Sequence, residues 1–233
     1  MFCDANFAEL IGIILGDGNI YENNGTYRVV ITGHKHEDFE YLTNYVKPLF
    51  YNKFNINLSL WYHKNKKAIA LATYSKYIVR KLNSLGLPSG PKVMIIPDFI
   101  NKNSKFISKF LKGVADTDFS VTFKKKSRKY HSYPVITASF SNMNFVYQLK
   151  KYLTKFSITS SIYKVKKTFN GKLYIEYQID ICGKDNLNIW LKHIGFSNPK
   201  HTTKIEIWRK IGYYPPKMSY SQRLDLLNKK FYK

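Results

Sequence analysis

Two separate stretches, Leu10-Ile11-Gly12-Ile13-Ile14-Leu15-Gly16-Asp17-Gly18 and Leu111-Lys112-Gly113-Val114-Ala115-Asp116-Thr117-Asp118-Phe119, decide how this chain is read. Each is an apolar run broken by small residues and closed by an aspartate. As helices they place Gly12 and Gly16 one turn apart on one face, and Gly113 and Thr117 likewise. Two such faces can approach until their backbones touch. That approach would bring Asp17 and Asp118 together.

The chain has 233 residues, with 38 Lys and Arg against 15 Asp and Glu and a formal net charge of +23. Such an excess points to a polyanionic partner, and nucleic acid comes before an anionic membrane or an acidic protein. A hydrophobic content of 44% excludes a disordered chain, and the length suits one large domain or two smaller ones. No stretch approaches the ~20 apolar residues needed to span a bilayer. Asp4 and Glu9 stand where a secretory leader would carry basic residues. An intracellular protein with no membrane partner is therefore expected. Cys3 and Cys182 are too few and too far apart for a disulfide scaffold or a cysteine-based zinc site.

The order of elements repeats as well. Val30-Ile31-Thr32-Gly33 in the first half corresponds to Val135-Ile136-Thr137-Ala138 in the second. Helical patterns follow, through Phe39, Leu42, Val46 and Leu49, then through Phe145, Leu149, Tyr152 and Phe156. The clearest strand signal runs over residues 172–181, where Leu173, Ile175, Tyr177, Ile179 and Ile181 alternate with polar or amphipathic neighbours. Each half then closes with a short helix stopped by a glycine and an apolar residue, Gly86-Leu87 and Gly195-Phe196. The pairs Pro91-Lys92 and Pro199-Lys200 follow. These patterns predict an α+β chain of two pseudo-symmetric αββαββα repeats, with antiparallel sheets covered by helices on one side. The first repeat spans residues 1–100 and the second residues 101–233, with a basic tail whose residues 219–229 read as one more short helix. Trp61, Trp190 and Trp208 are expected to be packing residues.

These residues resemble the LAGLIDADG homing endonucleases in their two-motif, single-chain form. Leu10 to Gly18 matches the signature at its first leucine, third-position glycine and closing Asp-Gly, and Leu111 to Phe119 matches at the leucine, the glycine and both aspartates. Leu15 stands where the first aspartate is usual. Phe119 replaces the closing glycine, and if that glycine holds a backbone conformation costly for other residues, the second site is displaced or weakened. The resemblance implies signature helices packed at a pseudo-twofold interface and sheets forming a DNA-binding saddle. It implies a monomer that cuts double-stranded DNA at a long specific site, leaving short 3′ overhangs. Two or three divalent ions would be held by Asp17 and Asp118, with the backbone carbonyls of Gly16 and Thr117 as further ligands. Lys92 and Lys200 would each bring a basic group to an active site, with Lys204 competing for the second role.

The chemistry of these residues agrees with that expectation. Hydrolysing a phosphodiester requires an activated water, neutralised phosphate charge and a stabilised leaving oxygen, all within the reach of a divalent metal. Mg²⁺ uses one or two carboxylates and keeps several waters, and the negative ends of two helices favour a cation. Base reading would fall to the polar strand faces, because the major groove admits strands and presents a distinct pattern for each base pair. Alternate residues counted from each aspartate give Tyr21 and Asn23 in the first half, and Thr122, Lys124, Lys126 and Arg128 in the second. Arg28, Thr32, Thr137, Glu176, Gln178 and Asp180 extend those faces, and His34 and Ser139 end matching strands where they could orient water. The alternatives are an RNA-binding maturase acting on its own intron RNA and a non-catalytic DNA-binding protein. An intein is less expected, since no flanking splicing blocks are seen.

Overall fold

The computed structural model describes residues 3–64 and 66–229. The chain divides into two compact units, Met1–Asp118 and Phe119–Lys233. The repeat in sequence and the division in space do not coincide, because the first helix of the second repeat packs against the first helix of the first.

In the first unit the order is α1 (Ala5–Asp17), β1 (Gly18–Asn23), β2 (Thr26–His34), α2 (Phe39–Tyr41), a π-helical turn (Leu42–Val46), α3 (Lys47–Phe54), β3 (Ser59–Tyr62), β4 (Ala68–Tyr74), α4 (Lys76–Asn83), a 3-10 turn (Asp98–Lys102) and α5 (Ser104–Asp118). The strands form one antiparallel sheet in the order β1-β2-β4-β3. Ile20, Val29, Ile31, Ile69 and Leu71 alternate onto its buried face, the period of two that a half-covered strand requires. Asp4 starts α1 by accepting the N–H of Phe7 at 2.8 Å. Between Phe7 and Gly16 the helix is buried and, apart from Glu9, apolar all round.

The π-helical turn explains one departure from the sequence pattern. Its wider turn re-phases the helix, so the buried stripe is Tyr41, Leu42, Val46 and Phe50, while Phe39 is 37% exposed.

The second unit runs β5 (Ser120–Lys124), β6 (Tyr133–Phe140), α6 (Met143–Lys155), β7 (Ser161–Phe169), β8 (Lys172–Cys182), α7 (Lys184–His193), α8 (Pro199–Ile211) and α9 (Tyr220–Asn228). Its sheet has the same plan, β5-β6-β8-β7, again antiparallel throughout. Val121, Phe123, Ile136, Ala138, Phe140, Ile179 and Ile181 line the buried face. The glycine stops behave alike in both halves: Gly86 (φ 86°) and Gly195 (φ 73°) take left-handed conformations beyond α4 and α7. The Pro-Lys pairs do not. Pro91-Lys92 lies in an irregular segment, whereas Pro199 opens α8 behind the cap Asn198, whose side chain accepts the N–H of Lys200 at 3.0 Å. Among the described residues no helix is long and apolar enough to cross a membrane.

Candidate active site and nucleic-acid interface

The small residues of α1 and α5 sit where the two helices meet, and there is no room for anything larger. A Cβ on Gly12 would lie 2.8 Å from the backbone nitrogen of Val114, and one on Gly113 would lie 2.9 Å from that of Ile13. Real Cβ atoms do not approach that closely, so the helices touch backbone to backbone. At the C-terminal end of the pair, a Cβ on Gly16 would fall 2.7 Å from Asp118 Oδ2 and 2.6 Å from the Cβ of Thr117. The carboxylate of Asp118 therefore lies against the residue that precedes Asp17. The Thr117 hydroxyl turns back to its own helix, donating to the carbonyls of Val114 (2.9 Å) and Gly113 (3.1 Å). Asp17 and Asp118 are both half-buried. Among the described residues no three or more His, Cys, Asp or Glu side chains converge as a metal ligand set, so a cation here would take two carboxylates and otherwise backbone oxygens and water. That sparse donor set suits Mg²⁺.

The closing residues of the two stretches differ for a steric reason. Gly18 has an extended backbone (φ −86°, ψ 157°), which any residue can adopt, so no conformational penalty attaches to Phe119 in its place. What a side chain at Gly18 would meet is the Cα of Ile14, at 2.6 Å. Phe119 instead buries its ring beside Trp190 and Phe140, with centroids 5.9 and 6.2 Å away.

The lysines fall into place by equivalence. Lys92 lines a small cavity of about 30 Å³ together with Leu15, Gly18 and Asn19, and the nearby Gly90 N–H donates to the carbonyl of Ile20 at 2.9 Å. The matching carbonyl in the second repeat, that of Val121, accepts from Lys204 Nζ at 3.3 Å. Lys204 thus reaches the position that corresponds to the Lys92 segment, while Lys200 stands in the first turn of α8. Further along the helix pair, sequence reading missed a buried ionic cluster. Glu9 is fully buried on α1 and accepts from Lys109 Nζ (2.8 Å) and from the Tyr45 hydroxyl (2.5 Å), with Lys112 Nζ at 3.4 Å. Its partners come from α5 and from the π-helical turn, so no local pattern announces it. Beside them Tyr41 is held neutral: burial first, then the negative charges of Asp116 and Glu9, push its hydroxyl well above the ordinary phenol range.

A family model described as a LAGLIDADG-like domain matches residues 105–195, from the first turn of α5 to just past α7. The whole fold is similar to that of the homing endonuclease I-DmoI in complex with DNA and Mn (TM-score 0.57, 18% identity, 82% of this chain and 96% of that one). It is also similar to the homing endonuclease I-WcaI bound to its DNA recognition sequence (TM-score 0.55, 17% identity, 95% of this chain and 87% of that one). Residues 105–195 therefore carry a LAGLIDADG-like domain, and the fold is similar to that of these homing endonucleases. Two curated relatives are similar over parts of their length. A probable translation initiation factor IF-2 of Methanocaldococcus jannaschii is 36% identical over 93 residues, which is 40% of this chain and 7% of that protein. The tRNA-splicing ligase RtcB of Pyrococcus furiosus is 24% identical over 216 residues, 84% of this chain and 22% of that protein. The chain therefore spans less than a quarter of either.

Strand parity and register sort the remaining residues of the chain onto the open faces of its two sheets. On the first, Tyr21 stands opposite Arg28, and Thr32 opposite Ala70. Asn23 is exposed at the end of β1, and His34 ends β2, where its Nδ1 accepts the N–H groups of His36 and Glu37 at 3.2 Å. On the second, Thr122 and Lys124 follow Ser120 on β5, and Thr137 and Ser139 pair with Asp180 and Gln178. Asp180 accepts from the Thr137 hydroxyl (2.5 Å) and from Gln178 Nε2 (2.8 Å), and Lys167 pairs with Glu176 (2.5 Å). Two residues leave the strand count. β5 ends at Lys124, and Lys126 and Ser127 take positive φ (42° and 62°), so Lys126 and Arg128 belong to the turn before β6. From that turn both still reach the ring of Tyr133, at 3.8 and 5.8 Å. Trp190 and Trp208 pack as expected, but Trp61 is 53% exposed and stands on the open face of the first sheet.

Proposed function

We propose that this protein is a site-specific endonuclease of the homing type, a monomer that hydrolyses both strands of double-stranded DNA with Mg²⁺ and leaves short 3′ overhangs. One observation carries the reading: two helices in backbone contact end in the acids Asp17 and Asp118, with Asp118 Oδ2 against Gly16. Asp17 and Asp118 would hold the metal, joined by the carbonyls of Gly16 and Thr117, and when bound the metal would supply charge neutralisation and an acidified water. Lys92 on one side and Lys204 or Lys200 on the other would stabilise charge on the phosphate. The net charge of +23 supports backbone binding, and the open sheet faces would read bases, with Tyr21, Asn23, Arg28 and Thr32 in one half and Thr122, Lys124, Thr137, Ser139, Glu176, Gln178 and Asp180 in the other. The DNA-bound relatives of like fold support the same partner.

Incubation of the protein with a randomised duplex library and Mg²⁺, followed by sequencing of the cut ends, tests this directly. The expected result is one enriched sequence cut on both strands, with no cutting in chelator. Duplex binding without cutting under any divalent ion would contradict the enzyme and leave a DNA-binding protein.

A further inference from the structure

The open face of the first sheet holds a cleft of about 260 Å³ whose floor is apolar. Register explains the floor. Val30 pairs with Ala72 and Thr32 with Ala70, so three apolar side chains, Val30, Ala70 and Ala72, meet beside Thr32 where the central strands lie side by side. Ala70 and Ala72 point to the open side yet are only 3% and 6% exposed, because larger neighbours rise around them. Trp61 and Tyr74 form walls that are 53% and 58% exposed at their rims. Arg28 stands beside them with its guanidinium 5.3 Å from the Tyr21 ring. No acidic residue lines the cleft among the described residues.

We propose that this cleft recognises thymine by its 5-methyl group, so that the first repeat selects T at one or two positions of the target. The inference rests on the DNA reading above. In the major groove adenine, guanine and cytosine offer only donors and acceptors, and thymine alone adds a methyl group. Val30, Ala70 and Ala72 have nothing to exchange with a donor or acceptor, so a polar base edge set directly on them goes unpaired, whereas Asn19, Arg28, Thr32 and His63 around that floor leave donors for the O4 that flanks thymine's methyl. The positive charge of Arg28 and the absence of acids suit the electronegative surroundings of a base edge.

The test uses the full-length protein and the duplex recovered from the library, with thymines replaced one at a time by deoxyuridine, which removes only the methyl. Affinity should fall about fourfold per methyl at one or two positions, the size expected for one lost methyl contact, and those positions should lie in one half of the site. Trp61→Ala lowers a wall of the cleft at an exposed position and should erase the thymine–uracil difference with the melting temperature unchanged. Ala70→Asp should erase it as well and shift preference at that position toward cytosine. Indifference to uracil everywhere, or equal sensitivity in both halves, would overturn the cleft assignment while leaving the endonuclease intact. Failure to bind any duplex would overturn the endonuclease reading and this assignment together.

Discussion

The two sheets repeat each other on their buried faces and diverge on their open ones. Behind both, apolar residues alternate in the same register: Val29 and Ile31 on β2 answer Pro134 and Ile136 on β6. In front, one row of the first sheet reads Thr32, Ala70 and Trp61, whereas the corresponding row of the second reads Thr137, Asp180 and Ser161. The next row pairs Val30 with Ala72 in one sheet and Val135 with Cys182 in the other. Packing holds the buried side to a pattern, because a slip of one residue would turn every apolar side chain outward. Nothing in the core constrains the open side, so it is free to carry different chemistry in each half.

That contrast can be broken at several points. The interior should be the least forgiving. Gly12→Ala inserts a Cβ against the Val114 backbone, and a cost of about 1–3 kcal/mol is expected from the overpacking; urea denaturation should show it, and an unchanged midpoint would mean the helices are not in backbone contact. The polar face of the second sheet comes next. Asp180→Ala strands the Thr137 hydroxyl and the Gln178 amide, so a loss of about 1–2 kcal/mol is expected, together with weaker discrimination in one half of the DNA site only. The smallest effect belongs to Tyr41. Its hydroxyl is buried without a hydrogen-bond partner among the described residues, so Tyr41→Phe should change stability by less than about 1 kcal/mol at neutral pH. Because its folded pKa is raised, the hydroxyl's contribution is intact below the unfolded value and is lost as pH climbs past about 10. The wild type should therefore lose stability above that pH more steeply than Tyr41→Phe, as thermal melts across pH 9 to 11 would reveal.

Most of the fold was legible because burial leaves a period in the sequence. The two acid-ended helices, the paired Val-Ile-Thr strands and the glycine stops could all be read locally. The π-helical turn could not, since one wide turn changes the phase of a helix without changing its composition. The tight turn at Lys126 and Ser127 was hidden behind a run of basic residues that continues the strand's alternation. Within the candidate site, the acids were visible from sequence, but the contact of Lys204 with the Val121 carbonyl was not, because it joins residues far apart in the chain. Glu9 and its partners are far apart in sequence. Ala70 and Ala72 carry no functional signal in the sequence, and only the strand register turns them toward the open side.

The central claim is that one pair of touching helices delivers two acids to one place of reaction. Its most direct test is strand-resolved cleavage of the selected duplex by Asp17→Asn and Asp118→Asn, with binding measured alongside. Each variant should lose cleavage by about a hundredfold or more while holding the DNA within about threefold of the wild-type affinity, a tolerance well under the tenfold that about 1.4 kcal/mol would produce. Wild-type cleavage of both strands by either variant would contradict the account.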